Sequence, residues 1–554
     1  MGLRIASLAW CLLLTGCAST GMLQPNPDTI YINGTIWTGV SGAGRAEALA
    51  VRGQEIVAVG SSRDIASLEG PKTNVVDLGG RFVVPGFIDN HTHFISGGLQ
   101  LASVDLRAAS TPEEFTERLT AYAEGTSEGR WITGGDWDHE AWGGELPHKR
   151  WIDAVTPSNP VFVSRLDGHM ALANSMALSR AGIGTATPDP EGGTIVRDPD
   201  TGEPTGILKD AAMNLVFAHI PRASEAELDE ALQRGMTHAV ERGVTQIVDM
   251  GSWTHLETFG RAARDRQLKL RVYSFVPLST WSRLRDYVGK HGRGGDWHRW
   301  GGLKGFVDGS LGSTTAWFHA PYDDAPHTSG LITTDTTALR ALIDSADGAG
   351  LSLAVHAIGD KANDWLLDTF AAVAAEHGAG DRRLRIEHAQ HLTPAAIKRF
   401  GEQGVIPAMQ PYHAIDDGRW AEKRIGRRRI QTTYPFRSLL DAGAQLCFGS
   451  DWTVAPIGPL AGIYAAVTRR TLDGKNPDGW VPGEKISVEE ALRCYTLSNA
   501  YAGSFERHTG TLEAGKLADF VVLSDDLFAI DPNDIAEVRI LQTVVGGTTQ
   551  FRVE

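Results

Sequence analysis

From Thr29 the chain runs through short apolar segments broken by turn residues: Ile30-Tyr-Ile-Asn-Gly-Thr-Ile-Trp37, Ala48-Leu-Ala-Val-Arg52, Glu55-Ile-Val-Ala-Val-Gly60 and Val75-Val-Asp-Leu78. Asn33-Gly34 and Arg52-Gly53 supply the positive-φ positions that tight hairpins need, so this stretch predicts a small antiparallel β unit. A matching piece closes the chain, Gly510 to Leu523 and then Val538 to Val545. The two ends are expected to form one composite β-sandwich domain, residues 29–82 with 506–554.

Between them the pattern changes. Apolar runs too continuous for half-exposed strands alternate with helical stretches, the mark of parallel βα units buried on both faces. The strand candidates are Phe82 to Ile88, Thr245 to Met250, Arg271 to Val276, Leu303 to Asp308, Leu351 to Ala357, Leu384 to His388, Val405 to Met409 and Gln445 to Asp451. Eight such units predict an α/β fold, a (β/α)8 TIM barrel spanning residues 83–505. The stretch from about Asp105 to Ile220 breaks the alternation with extra strands near Trp131 and Val161. It reads as a subdomain inserted between barrel strands 1 and 2, over the mouth.

The first residues carry one positive charge, an apolar run too short to span a bilayer, and small residues before a cysteine. Leu14-Thr-Gly-Cys17 resembles the lipobox of bacterial lipoproteins. Residues 1–16 are then a signal peptide, Cys17 carries the lipid that meets the membrane, and 17–28 form a tether. Export to a bacterial membrane follows, and Ala18 after the cysteine favours the outer membrane, facing the periplasm.

Charge narrows the partners. Lys and Arg number 52 against 67 Asp and Glu, a net charge of −15, which disfavours nucleic acid and favours a small molecule. On that background the basic run Lys423 to Arg429 reads as a solvated loop or helix. Trp131, Trp137, Trp142 and Trp151 in the insert read mostly as core, with some room for a pocket wall. Four cysteines cannot replace a core. Cys447 shares the parity of Asp451 and should face the barrel interior, whereas Cys494 lies on a helical stretch outside it, so no disulfide joins them. Nothing in the pattern fixes an oligomeric state.

The chemistry lies at strand ends. Strand one runs into Asp89-Asn-His91-Thr-His93, where two imidazoles at i and i+2 share a face if the strand continues. Among 18 histidines a lone H-x-H means little, but strand five ends at His356, strand six at His388 and strand eight at Asp451. Barrel enzymes gather their working groups at this rim, so these side chains point to a divalent cation held by His and carboxylate. Zinc is the first expectation for such a donor set, and iron, manganese or nickel also fit. Asp451 can touch both an ion and its water, which suits it to receive and return a proton. His169 in the insert, and His413 and Asp417 after strand seven, are candidate substrate-binding residues.

Pro85-Gly-Phe-Ile-Asp-Asn-His-Thr-His93, Leu166-Asp-Gly-His169 with Ala173-Asn-Ser175, Lys304-Gly-Phe-Val-Asp-Gly-Ser310, His356-Ala-Ile-Gly-Asp360, Ile386-Glu-His388-Ala-Gln, Phe448-Gly-Ser-Asp451 and Gly515-Lys-Leu-Ala-Asp519 together resemble the amidohydrolase superfamily. Within it they resemble the amidohydrolase-3 group, which includes N-substituted formamide deformylase. The resemblance covers Thr29 to Val545. It implies a metal-bearing barrel beside a β-sandwich, and a carbamylated Lys304 bridging two ions. Lys304 shares parity with Asp308, and an ion pair between them, with a single metal as in the deaminase branch, is the alternative. The expected reaction is hydrolysis of a carbon–nitrogen bond in a small non-peptide amide, N-formyl or N-acyl, by metal-activated water. A deaminase, a lactonase and a non-catalytic small-molecule-binding surface lipoprotein are the rivals.

Overall fold

The computed structural model describes residues 26–378 and 380–553. The signal peptide, Cys17 and most of the tether lie outside the described residues.

Eight parallel strands form the central barrel: β1 Phe87–Thr92, β2 Val244–Met250, β3 Arg271–Pro277, β4 His298–Phe306, β5 Ser352–Ala357, β6 Arg385–His388, β7 Ile406–Met409 and β8 Cys447–Phe448. They hydrogen-bond in chain order, β1 to β8. Side-chain alternation sorts them. Tyr273, Phe275 and Ala354 meet inside the barrel, whereas Leu303, Val355 and Ile386 pack outward against helical Leu339, Leu366 and Phe370. The helices start where the sequence dictates. Thr393 accepts from the Ala396 N–H and Pro394 takes the first turn of the helix Pro394–Gln403, the position where a missing N–H costs nothing.

β8 is two residues long, so the ring closes on backbone beyond it. The Asp451 N–H donates to the His91 carbonyl at 2.8 Å and the His93 N–H to the Trp452 carbonyl at 2.6 Å. Beneath them the Asn499 amide donates to the carbonyls of Ile88 at 2.5 Å and Phe448 at 2.6 Å, stitching β1 to β8.

The apolar run Phe82 to Ile88, expected as one barrel strand, is two strands. Phe82–Pro85 pairs with Thr35–Ile36 and, antiparallel, with Phe520–Leu523. The chain crosses to the barrel at Gly86, where a Cβ would meet the Thr245 side chain at 2.3 Å. Both sheets are buried here, so the run shows no break in hydropathy. The resulting five-stranded sheet, which includes Ile540–Val545 and Thr548–Arg552, shares a core with the four-stranded sheet of residues 29–77: Tyr31, Leu49 and Ile56 meet Val83, Phe520 and Val544.

Strand four also differs from expectation. It ends at Phe306, and Asp308 lies beyond it, its carboxylate accepting the N–H groups of Trp317 at 2.7 Å, Ile358 at 3.0 Å and Gly359 at 2.9 Å. These bonds hold the Asp308 carboxylate beyond the strand end, where its Oδ1 lies 3.6 Å from Nε2 of His356.

Between β1 and β2 a six-stranded sheet, from Val104–Asp105 to Pro204–Asp210, forms the insert. Trp137, Trp142 and Trp151 belong to its core and Trp131 to a neighbouring cluster, so none of them faces the barrel cleft. The basic run is not simply solvated. In the helix Ala421–Arg429, Arg424 is buried against Glu140 at 2.8 Å and Asp324 at 3.1 Å, tying barrel to insert. Cys447 and Cys494 are buried free thiols, the former beside Ile406 and Ala502, the latter in the outer core. Among the described residues no helix is long and apolar enough to cross a membrane.

Candidate metal centre

At the C-terminal rim of the strands lies a narrow cleft, roofed by the insert. His93, His169, Lys304, His356, His388, His413, Asp417 and Asp451 all line it. His91 lies fully buried directly beneath, its ring 4.9 Å from that of His388.

Asp451 is the hub. Its Oδ1 faces Nε2 of His93 at 3.3 Å and Nε2 of His91 at 3.5 Å, and its Oδ2 lies 3.8 Å from Nδ1 of His388. Ligand atoms of His91, His388 and Asp451 all lie within 4.8 Å of one another. Asp451 holds φ at +57°, a left-handed conformation that a non-glycine residue adopts only under constraint, and its N–H bond to His91 supplies part of that constraint.

Each imidazole has one nitrogen committed to an acceptor. His91 Nδ1 is gripped by Glu387, whose other oxygen accepts from Arg385 at 2.8 Å. His93 Nδ1 donates to the Met250 carbonyl at 3.1 Å, His356 Nε2 to the Gly309 carbonyl at 3.0 Å, and His388 Nδ1 to Gln410 Oε1 at 2.9 Å. A carbonyl can only accept, so the bonded nitrogen carries the proton and the other keeps its lone pair. Burial also holds His91, His356 and His388 well below the usual histidine range, which keeps them neutral.

Two of these residues arrive differently from the expected strand continuation. β1 stops at Thr92, and His93 caps the following helix Phe94–Gln100, so helix entry rather than strand parity aims its ring. His388 follows Glu387 on β6, and alternation would turn it away. Its φ of +74° swings it back towards the cleft.

Lys304 reaches the cluster from one row below. Its Nζ lies 3.2 Å from His91 Nε2, and burial lowers its pKa to about 8 although Glu387 and Asp451 oppose the shift. Lys304 lies two residues, about 7 Å of strand, below Phe306, the last residue of β4. The Asp308 carboxylate is bonded to backbone N–H groups of Trp317, Ile358 and Gly359, and among the described residues no ion pair joins it to Lys304, so that expected alternative is not realised.

The insert delivers His169, whose Nδ1 bonds Asp210 at 2.6 Å and whose ring lies 5.3 Å from that of His356. Burial disfavours its charge, yet Asp210 prevails and raises its pKa to about 9. His413 and Asp417 lie one turn apart on the helix Pro411–Asp417. Asp417 accepts the Tyr434 hydroxyl at 2.5 Å, and His413 Nε2 is buried without a partner. Sequence reasoning missed Glu387, Gln410, Asp210 and Arg165. Glu387 stood inside a quoted motif, and its parity with Arg385 was the available signal; Asp210 comes from a distant strand and left none.

Residues 74–551 match the Amidohydrolase family. The chain belongs to the amidohydrolase family. Among its relatives, Protein LONG AFTER FAR-RED 3 of Arabidopsis thaliana is 44% identical over 533 residues, covering 94% of this chain and 91% of that protein. N-substituted formamide deformylase of Arthrobacter pascens is 29% identical over 546 residues, 95% of this chain and 98% of that enzyme. The crystal structure of an uncharacterized metal-dependent hydrolase from Pyrococcus furiosus superposes with a TM-score of 0.71 at 29% identity, covering 91% of this chain and 99% of that one. In this amidohydrolase the buried imidazole cluster occupies the rim where barrel enzymes place their working groups.

Proposed function

We propose that the chain is a metal-dependent hydrolase that cleaves a carbon–nitrogen bond of a small non-peptide amide, N-formyl or N-acyl. One observation carries the reading: Asp451 Oδ1 is buried with no hydrogen-bond partner while two imidazole nitrogens face it. A buried, unpaired carboxylate oxygen is costly, and a divalent cation among these donors removes the cost. His91, His93, His388 and Asp451 would hold one ion. His356 and Lys304, the latter as a carbamate, would extend the set to two. Zinc fits this donor chemistry. The names of the deformylase and of the Pyrococcus hydrolase support the reaction class.

When bound, the ion makes water nucleophilic at neutral pH and polarises the carbonyl. The protein supplies the proton path. Asp451 receives the proton of the attacking water and holds it within reach of the departing nitrogen, which leaves as an amine instead of an amide anion. His169, anchored by Asp210, bounds the cleft from the insert side, opposite β8. His413 and Asp417 form a further wall, where the substrate is bound. Elemental analysis of the pure protein, joined to a panel of N-formyl and N-acyl amines with aminopurines and lactones for comparison, tests the reading. Bound divalent metal with chelator-sensitive amide turnover is the expected result; deamination or lactone hydrolysis without amide turnover would overturn it.

The export signal is a separate proposal, supported by Leu14-Thr-Gly-Cys17 and Ala18. Lipid on Cys17 would hold the enzyme at the outer membrane. Cys17→Ser should move it from the membrane fraction to the soluble fraction of the producing bacterium.

A further inference from the structure

The cleft wall remote from Asp451 carries more carboxylates than cations. Arg165 is shared between Asp138 at 2.9 Å and Asp167 at 2.8 Å. Arg419 is shared between Asp138 at 3.0 Å and Asp416. Other cations nearby are also engaged: Arg424 with Glu140, Arg107 with Asp136, and Lys209 with the Ser313 carbonyl. Asp417 lines the same cleft, and among the described residues its one hydrogen-bonding partner is the Tyr434 hydroxyl. Its other oxygen has no donor. Asp417 is half-buried in the cleft wall, where a carboxylate with a free oxygen favours a cationic partner.

The position is as informative as the charge. His413 and Asp417 are four residues apart on one helix, so they share a face and lie about 6 Å apart along its axis. His413 is within electrostatic reach of Asp451. A substrate whose amide sits at Asp451 and whose amine arm runs past His413 would therefore end beside Asp417. Arg165 and Arg419 lie within electrostatic reach of Asp417, but each is held between two other carboxylates, and among the described residues no cation forms an ion pair with Asp417.

We propose that the substrate is a mono-acylated diamine, whose second, cationic nitrogen is received by Asp417. The inference rests on the amide-hydrolase reading and adds the substrate class. In the free enzyme, burial raises the Asp417 carboxyl to about 7, with Asp416 adding to the shift and the more distant Arg165 and Arg419 opposing it only in part. A bound ammonium supplies that cation and a charge-assisted donor.

The test uses the metal-loaded enzyme and two substrates of equal length, N-formyl-1,4-diaminobutane and N-formylpentylamine, which differ by NH3+ in place of CH3. The expected kcat/KM ratio is at least about ten-fold in favour of the diamine, the usual worth of a hydrogen bond to a charged group. The difference should lie mainly in KM, and Asp417→Asn should bring the ratio close to one. Equal turnover of the two compounds by the wild-type enzyme overturns the substrate class and leaves amide hydrolysis standing. A ratio that Asp417→Asn does not change overturns the assignment to Asp417. Turnover of neither compound, nor of any other amide, overturns the underlying reading as well.

Discussion

Glu387 and His388 are neighbours in sequence, yet both serve the same cluster. Glu387 points inward from β6 and grips His91 Nδ1, while the left-handed backbone at His388 returns that ring to the side its parity would deny it. One residue aims a ligand from below and the next is a ligand candidate. Glu387→Gln keeps the shape but loses the anion that both His91 and Arg385 use. Metal affinity should fall about 10–100-fold, the usual effect of losing such an outer partner, as read by chelator competition. Unchanged affinity would show that His91 orients itself.

Asp451→Asn tests the proton path. The amide retains an oxygen that can touch the ion but cannot take the proton, so the variant should keep most of its metal and lose about two to four powers of ten in turnover. Near-normal turnover at full occupancy would remove Asp451 from the chemistry and direct attention to His169 and His413.

For Lys304 the measurement is metal content. Burial already favours the neutral amine, the form that can add carbon dioxide, and its Nζ lies against His91. Lys304→Ala should bind less metal, and bicarbonate with a short carboxylic acid should restore part of it by replacing the lost carbamate oxygens. Full metal content in the untreated variant would mean that Lys304 is not a ligand.

The His169–Asp210 pair gives a pH signature. The folded pKa of His169 is raised from 6.5 to about 9. Its stabilisation is therefore complete below about pH 6.5 and disappears as pH rises through about 9, by roughly 3–4 kcal/mol at 1.4 kcal/mol per unit. Urea unfolding of wild type and His169→Asn across pH 6–10 should show the gap closing at high pH. A constant gap would mean that the pair is not ionic.

Thiol counting checks the barrel placement. Cys447 and Cys494 are buried free thiols that belong to separate apolar clusters. Both should alkylate in denatured, unreduced protein, and protection of the two together would place them in contact.

The barrel was legible in the sequence because strand-like segments, most of them apolar, alternate with helices. Its edges were harder to read. Phe82 to Ile88 serves two sheets without a polar residue between them, and Gly86 alone marks the passage. The ligand candidates were legible because histidines and an aspartate recur at strand ends, and all of them lie at the cluster. Their aim was not, because β1 ends before His93, β6 turns over at His388 and β4 stops before Asp308. Each is a departure in backbone dihedral, which residue type records weakly. The outer partners were the least visible. Gln410 sits on the next strand's loop and Asp210 on the insert, so only folding brings them to His388 and His169.

The brevity of β8 has a consequence for how the enzyme matures. The ring is joined by backbone bonds at His91, His93, Asp451 and Trp452, the same short segments that carry ligand candidates. Residues 91 and 451 are remote in the chain, so this seam is among the costliest loops to close. An ion binding there would act as a clasp on the last joint of the barrel, converting its affinity into fold stability. Loading and final folding become one event: an apoenzyme would keep its core and sandwich yet breathe along a single line, and amide hydrogens from Ser450 to Val454 would exchange with solvent before any others in the barrel.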